Sequence, residues 1–189
     1  MRLKQNLPGL LALCLYGLCI PAANWTLQHV GTLCQPDGPC LIPVAPGLMA
    51  PSGVLLAGAG LVLRDIVQRL QGLTVSVGAV IAGTIASAAL APEPLVYASA
   101  VAFGFSEVVD AVIFTPLQKR GLVAAVAVAA GVGLVVDSVV FLQLAFGSLE
   151  HLAGQILGKA EMVLVSLPIV HMLRLVTGRP ADDYQQATR

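Results

Sequence analysis

Residues 121–146 read GLVAAVAVAAGVGLVVDSVVFLQLAF, and this stretch decides the fold. It contains one charged side chain, Asp137, in an otherwise apolar or small-residue run. A helix needs about 20 mainly apolar residues to cross the hydrocarbon core of a bilayer. The stretch therefore predicts a transmembrane helix.

Five further apolar segments of similar length lie on either side of it, at 7–27, 45–63, 73–91, 95–117 and 152–176. The chain of 189 residues is 57% hydrophobic and 11% charged, whereas soluble domains carry about 25% charged residues. So few charges cannot solvate a globule of this size. We predict a single all-α membrane domain, 1–189, with six transmembrane helices in one bundle and a tail at 177–189.

The basic residues predict the orientation of these helices. Nine of the ten Lys and Arg residues precede the first segment, follow the second, separate the fourth and fifth, or end the chain. The alternate connections, 28–46, 92–94 and 147–151, contain none. Because cytoplasmic loops are enriched in Lys and Arg, both termini are predicted to be cytoplasmic, in a multi-pass protein of the plasma or cell inner membrane. In this scheme Arg64 is an orientation anchor at the cytoplasmic end of the second helix.

The N-terminus has a second interpretation. Arg2 and Lys4, an apolar run and Pro21-Ala22-Ala23 also fit a cleaved secretory signal, which would leave five helices. We favour a retained helix. The net charge of zero gives no indication of a nucleic-acid partner.

Ionisable side chains inside predicted membrane helices are costly, and they commonly mark substrate or ion pathways. Glu107 and Asp110 share one helix face, because they are three residues apart. Asp137 shares a face with Phe141, and Gln155 with Lys159. These faces, together with Phe103 and Phe114, predict a polar pocket with aromatic walls for a small planar ligand. The alternative is structural: Lys159 pairs with Asp137 or Asp110 and only holds the bundle together.

Cys34 and Cys40 bracket a short polar loop. If this loop faces an oxidising exterior, the two cysteines are candidates for a disulfide, and otherwise they are unpaired. Their spacing alone is not a zinc motif, since no second ligand pair follows. The sequence also lacks P-loop, HExxH and GxSxG motifs, so we expect neither an enzyme nor a bound cofactor or metal.

Several of these segments resemble the vitamin uptake transporter family, in particular its YhhQ-type queuosine precursor transporters. The most specific likeness is Val136-Asp137-Ser138-Val139-Val140-Phe141 followed by Ala145-Phe146-Gly147. Further similarity lies in Glu107-Val108-Val109-Asp110, in Pro116-Leu117-Gln118-Lys119-Arg120, in Gln155 with Lys159, in Ala23-Asn24 and in Leu63-Arg64-Asp65.

The resemblance implies import of a 7-deazapurine such as 7-cyano-7-deazaguanine. A carboxylate of Glu107, Asp110 or Asp137 would accept hydrogen bonds from the guanine-like edge. Asn24 or Gln155 would meet the carbonyl, and an aromatic ring such as Phe141 would stack on the base. Lys159 would neutralise the remaining acid. Two alternatives stay open: a substrate-binding subunit of an energy-coupling-factor type transporter, and a membrane structural protein. Besides the substrate and the lipid bilayer, a second copy of the chain in a homo-oligomer is a candidate partner.

Overall fold

The computed structural model describes residues 2–34, 39–91 and 95–177. These residues form six helices and a small sheet. In chain order the elements are α1 (Arg2–His29), β1 (Leu33–Cys34), β2 (Cys40–Ala45), β3 (Leu48–Pro51), α2 (Val54–Gln71), α3 (Leu73–Leu90), α4 (Val96–Leu117), α5 (Leu122–Phe146) and α6 (Leu152–Thr177).

Five of the helices are long and apolar enough to cross a membrane: α1, α3, α4, α5 and α6. Their outer faces expose large apolar side chains, such as Ile85 at 66%, Val112 at 68% and Leu164 at 63%. Exposed apolar surface of this extent is suited to lipid rather than water. The chain is a mostly helical, polytopic membrane protein. The sixth span and the direction of the termini remain predictions.

The structure differs most from the prediction at the second segment. The sequence predicts one helix over 45–63, but this range begins with the end of β2, a turn and β3, and β2 pairs antiparallel with β3 in a hairpin. β1 adds to the other edge of β2. α2 begins only at Val54, and it carries Arg64, Asp65 and Arg69 among its 18 residues. These charges explain why α2 is not one of the five apolar helices.

Two glycines with positive φ make tight connections between helices. Gly72, at φ 93°, separates α2 from α3. Gly147, at φ 62°, ends α5, and its N–H donates to the carbonyl of Gln143 at 3.1 Å. Glycine adopts this left-handed region without the steric penalty of a Cβ, so each helix ends where the chain needs to turn.

Small residues bring the helices close together at the centre of the bundle. Ala125, Ala129 and Ala130 of α5 are fully buried. At Gly58 of α2, a Cβ would lie 2.7 Å from the carbonyl oxygen of Lys159 in α6. Close approach through small residues is the usual way in which membrane helices pack. Here it fixes the position of Lys159 relative to α2.

Two parts of the predicted organisation lie outside the described residues. The tail predicted at 177–189 lies outside them from residue 178 onward, and so does the short connection 92–94.

Candidate functional site

A cavity of about 110 Å³ lies inside the helical bundle. Six of the seven residues predicted to bind substrate line it: Asn24, Glu107, Asp137, Phe141, Gln155 and Lys159. They come from α1, α4, α5 and α6, so the fold brings together side chains that are far apart in the sequence. Asp110, the seventh, does not line the cavity.

Lys159 is the centre of one polar cluster on the cavity wall, which we call the Lys159 cluster. Its ammonium donates to Asp137 Oδ2 at 2.5 Å, to Gln155 Oε1 at 2.6 Å and to Ser138 Oγ at 2.9 Å. Asp137 Oδ1 also accepts from Ser106 Oγ at 3.4 Å. The cluster pairs one cation with one carboxylate. The Lys159 side chain is 3% exposed, whereas that of Asp137 is 18% exposed, so the carboxylate is the accessible member.

A second cluster surrounds Arg64 of α2, and we call it the Arg64 cluster. The guanidinium contacts three carboxylates: Asp65 Oδ1 at 3.0 Å, Glu107 Oε2 at 3.1 Å and Asp110 Oδ1 at 3.2 Å. It also donates to Gln68 Oε1 at 2.7 Å. All four ionisable side chains are at most 1% exposed.

The position of Arg64 corrects the prediction that it is an orientation anchor at the membrane surface. It lies in the middle of α2, fully buried, and its charge is engaged by acids of the same helix and of α4. Asp110 is one of these acids, which explains why it lies away from the cavity. Lys159 pairs with Asp137, so of the two pairings that the sequence left open, the structure has this one.

Glu107 connects the two regions, because it lines the cavity and belongs to the Arg64 cluster. Its other oxygen, Oε1, accepts a hydrogen bond from the hydroxyl of Tyr16 in α1 at 3.3 Å. Glu107 is therefore the side chain through which a change of charge or position in the Arg64 cluster would alter the cavity wall.

The aromatic residues named from the sequence divide between the two regions. Phe103 and Phe141 line the cavity. Phe103 lies beside the ring of Tyr16, with 6.4 Å between the ring centroids. Phe114 instead lies under the guanidinium of Arg64, 5.8 Å from the ring centroid, and supports that cluster.

The sheet lies at one end of the cavity. Pro51 of β3 and Gly53 belong to the cavity lining. The structure joins Cys34 and Cys40, which face each other across β1 and β2, in a disulfide. The strand β3 contacts α6 closely, since the carbonyl of Met49 leaves no room for a Cβ at Gly154.

Sequence reasoning missed Tyr16, Ser99, Ser106 and the role of Arg64. Ser99 is 9% exposed, lines the cavity, and its hydroxyl lacks a hydrogen-bond partner among the described residues. The buried position of Arg64 could have been predicted from turn sequences that precede α2. Pro46-Gly47 and Pro51-Ser52-Gly53 are turn sequences, and placing turns there starts the helix near residue 54 and puts Arg64 in its interior.

The fold and the cavity define a class: a multi-pass membrane protein with a buried, charged cavity between its helices, as expected of a small-molecule transporter. The comparison with family models agrees. Residues 88–173, which include α4 and α5 and most of α6, match the family described as "Putative vitamin uptake transporter". The match confirms the resemblance to vitamin uptake transporters over this part of the chain. No curated protein and no solved structure gives a significant match.

Proposed function

We propose that the chain imports a queuosine precursor, 7-cyano-7-deazaguanine or a related 7-deazapurine, and that this substrate binds in the cavity. The observation that carries the proposal is the convergence of Asn24, Glu107, Asp137, Phe141, Gln155 and Lys159 on one cavity inside a membrane bundle. The family match supports transport of a vitamin-like molecule. The choice of a deazapurine comes from the YhhQ-type resemblance and from the hydrogen-bonding groups on the cavity wall.

Asp137 is the acid best placed to recognise a guanine-like edge. That edge presents an N1–H and an exocyclic amine, which are two donors for one carboxylate. Glu107 is already engaged by Arg64 and Tyr16 and is 1% exposed. Asp137 is 18% exposed, and Lys159 holds its Oδ2 in place. Its Oδ1 has only the 3.4 Å hydrogen bond from Ser106, so this oxygen is the more available to a ligand. Of the three acids that competed on sequence grounds, we therefore assign the recognition role to Asp137.

The other contacts follow from the hydrogen bonds already formed. Gln155 uses its Oε1 as acceptor for Lys159, so its amide nitrogen is the group that would donate to a ring carbonyl. Asn24 uses its Nδ2 to donate to the carbonyl of Ile20, so its oxygen would serve as an acceptor. Phe141 and Phe103 offer apolar faces for the flat ring. The unpartnered hydroxyl of Ser99 supplies one more polar contact.

We also propose that the sheet faces the exterior and that both termini lie in the cytoplasm. The start of α4 lies at the same end of the cavity lining as the end of α5, because Leu95 and Ala98 pack with Phe141. Phe141 lines the same cavity as Pro51 of β3. Lys119 and Arg120 are exposed and follow the opposite end of α4. Basic residues favour the cytoplasmic side, whereas a disulfide such as Cys34–Cys40 is favoured in an oxidising exterior. Both preferences agree with location in the plasma membrane.

The test is uptake by bacteria that cannot make the precursor. Cells expressing this chain alone should take up labelled 7-cyano-7-deazaguanine and regain queuosine in their tRNA. The variant Asp137→Asn should reduce uptake at least tenfold. Glu161→Gln is the matched control, since Glu161 is an exposed acid on α6 and should behave as wild type.

Three outcomes would contradict the proposal. Equal uptake by wild type and Asp137→Asn would show that the recognising acid is wrong. Uptake that requires an added ATPase module would favour the energy-coupling-factor type. Folded protein with no uptake of any deazapurine, with or without that module, would favour a structural role for the buried charges.

A further inference from the structure

The Arg64 cluster has an imbalance of charge that the transport proposal does not use. One guanidinium contacts Asp65, Glu107 and Asp110, and the four side chains are at most 1% exposed. If all three acids were ionised, the cluster would carry two uncompensated negative charges inside the bundle. Buried charge without a partner is strongly unfavourable, and such groups become neutral instead.

Among the described side chains, the helices around the cluster do not supply the missing positive charge in full. Arg69 of α2 is half-buried and has an interaction of its own, and even if it is counted the three acids outnumber the cations by one. α1 contributes Tyr16, a neutral hydroxyl that donates to Glu107. The described residues of α3 include none. From α5 comes Asp137, which is paired with Lys159 of α6. The remaining ionisable residues of α6, which are Glu161, His171 and Arg174, are exposed on its surface.

The carboxylate oxygens without a hydrogen-bond donor show where a further positive charge is needed in the Arg64 cluster. Glu107 accepts from Arg64 and Tyr16, so its two oxygens have donors. The Oδ1 atoms of Asp65 and Asp110 contact Arg64, whereas the Oδ2 atom of each is buried without a hydrogen-bond partner among the described residues. Asp65 Oδ1 and Asp110 Oδ1 contact the two terminal nitrogens of the same guanidinium, at 3.0 Å and 3.2 Å, so the two carboxylates are neighbours. Two neighbouring carboxylates are both acceptors, so they cannot hydrogen-bond to each other without a proton between them.

The space around Asp110 is too tight for a hydrated cation. A Cβ at Gly133 of α5 would lie 3.3 Å from Asp110 Oδ2 and 3.3 Å from a methyl carbon of Leu61. This oxygen therefore faces the α5 backbone and an apolar side chain. The described residues also contain no group of three His, Cys, Asp or Glu side chains arranged to hold a metal ion. A proton is the cation that fits.

We infer that the Arg64 cluster is a proton-binding site, in which Asp65 and Asp110 share at least one proton while Glu107 stays ionised beside Arg64. The site lies one side chain from the cavity, because Glu107 belongs to both. Loss of the proton would turn Arg64 toward the newly ionised aspartate and weaken its hold on Glu107, so proton binding would be sensed at the cavity wall. This inference does not depend on which substrate the cavity accepts.

Infrared spectroscopy of the purified protein in lipid, without any substrate, tests the site. A protonated carboxyl group absorbs at a higher C=O stretching frequency than a carboxylate. Wild type should show such a band at neutral pH. Asp65→Asn and Asp110→Asn each leave two acids rather than three beside Arg64, so fewer protons are needed for charge balance and each variant should show a weaker band than wild type. Asp137→Asn is the control and should keep it, because Asp137 is already paired with Lys159.

Several results of this experiment would overturn the inference. Absence of a protonated carboxyl band in wild type at neutral pH would overturn the inference without any variant, even if both asparagine variants fail to fold. A band of undiminished intensity in either Asp65→Asn or Asp110→Asn, or a band that disappears in Asp137→Asn, would also overturn it. Since no substrate is present, these outcomes are independent of whether the chain transports a deazapurine.

Discussion

The Lys159 cluster and the Arg64 cluster are both buried charge networks, but they differ in balance and in access. Lys159 faces one carboxylate, one amide and one hydroxyl, and its carboxylate partner is partly exposed to the cavity. Arg64 faces three carboxylates, none of which is more than 1% exposed. A balanced network with an accessible acid is suited to bind a neutral polar ligand. An unbalanced, closed network is suited to hold a proton.

The largest expected difference between the clusters is in stability. Arg64→Gln would leave the surrounding acids without their cation, and removing one partner of a buried ion pair costs about 3–5 kcal/mol. We expect a large loss of thermal stability in detergent or lipid. Arg174→Gln is the matched control, since Arg174 is an exposed residue of α6. Equal melting temperatures for the two variants would mean that Arg64 does not hold the acids together.

A smaller effect is expected where α2 approaches α6. Gly58→Ala places a methyl group 2.7 Å from the Lys159 carbonyl oxygen, so the helices must separate and Lys159 must shift. Overpacking of this kind costs about 1–3 kcal/mol, and uptake should fall together with stability.

The control for Gly58 lies on the same helix. A Cβ at Gly60 would meet nothing within 4 Å, and alanine is favoured over glycine in helices by about 1 kcal/mol. Gly60→Ala should therefore keep or raise the melting temperature. If Gly58→Ala were equally stable, the close contact between α2 and Lys159 would not be needed to position that cluster.

The smallest effect is expected at Ser99, which belongs to neither cluster. Its buried hydroxyl has no partner in the described part of the chain, so Ser99→Ala should leave the melting temperature unchanged or slightly raise it. If the hydroxyl meets the substrate, apparent affinity in the uptake assay should fall by about fivefold, the equivalent of one neutral hydrogen bond. Ser166→Ala, which removes a hydroxyl bonded to Met162 of its own helix, should change neither property.

The difference between the clusters also shows what the sequence can predict. Asp137 and Lys159 interrupt long apolar runs, so helical spacing and the cost of burial were enough to propose that they meet. The pairing itself required the fold, because Asp110 was an equally suitable partner on sequence grounds. The membrane class and the likeness to vitamin uptake transporters followed from the same apolar segments and from motifs in α4 and α5.

Arg64 was misplaced because the segment before it was misread. Residues 45–53 are apolar enough to be taken as the start of a helix, yet they hold the end of β2, a turn and β3, whose main-chain hydrogen bonds satisfy the backbone locally. Counting these residues as helix moved the predicted end of the second span to residue 63 and put Arg64 at the surface. Tyr16 and Ser99 could not be found, since neither differs in its sequence neighbourhood from residues that face lipid.

Equilibrium binding of 7-cyano-7-deazaguanine to the purified protein tests the central claim most directly. The account predicts saturable binding to wild type and to Glu161→Gln, and at least tenfold weaker binding to Asp137→Asn, because a charge-assisted hydrogen bond contributes about 1.5–3 kcal/mol. Unchanged affinity in Asp137→Asn, or no binding to folded wild-type protein, would contradict it.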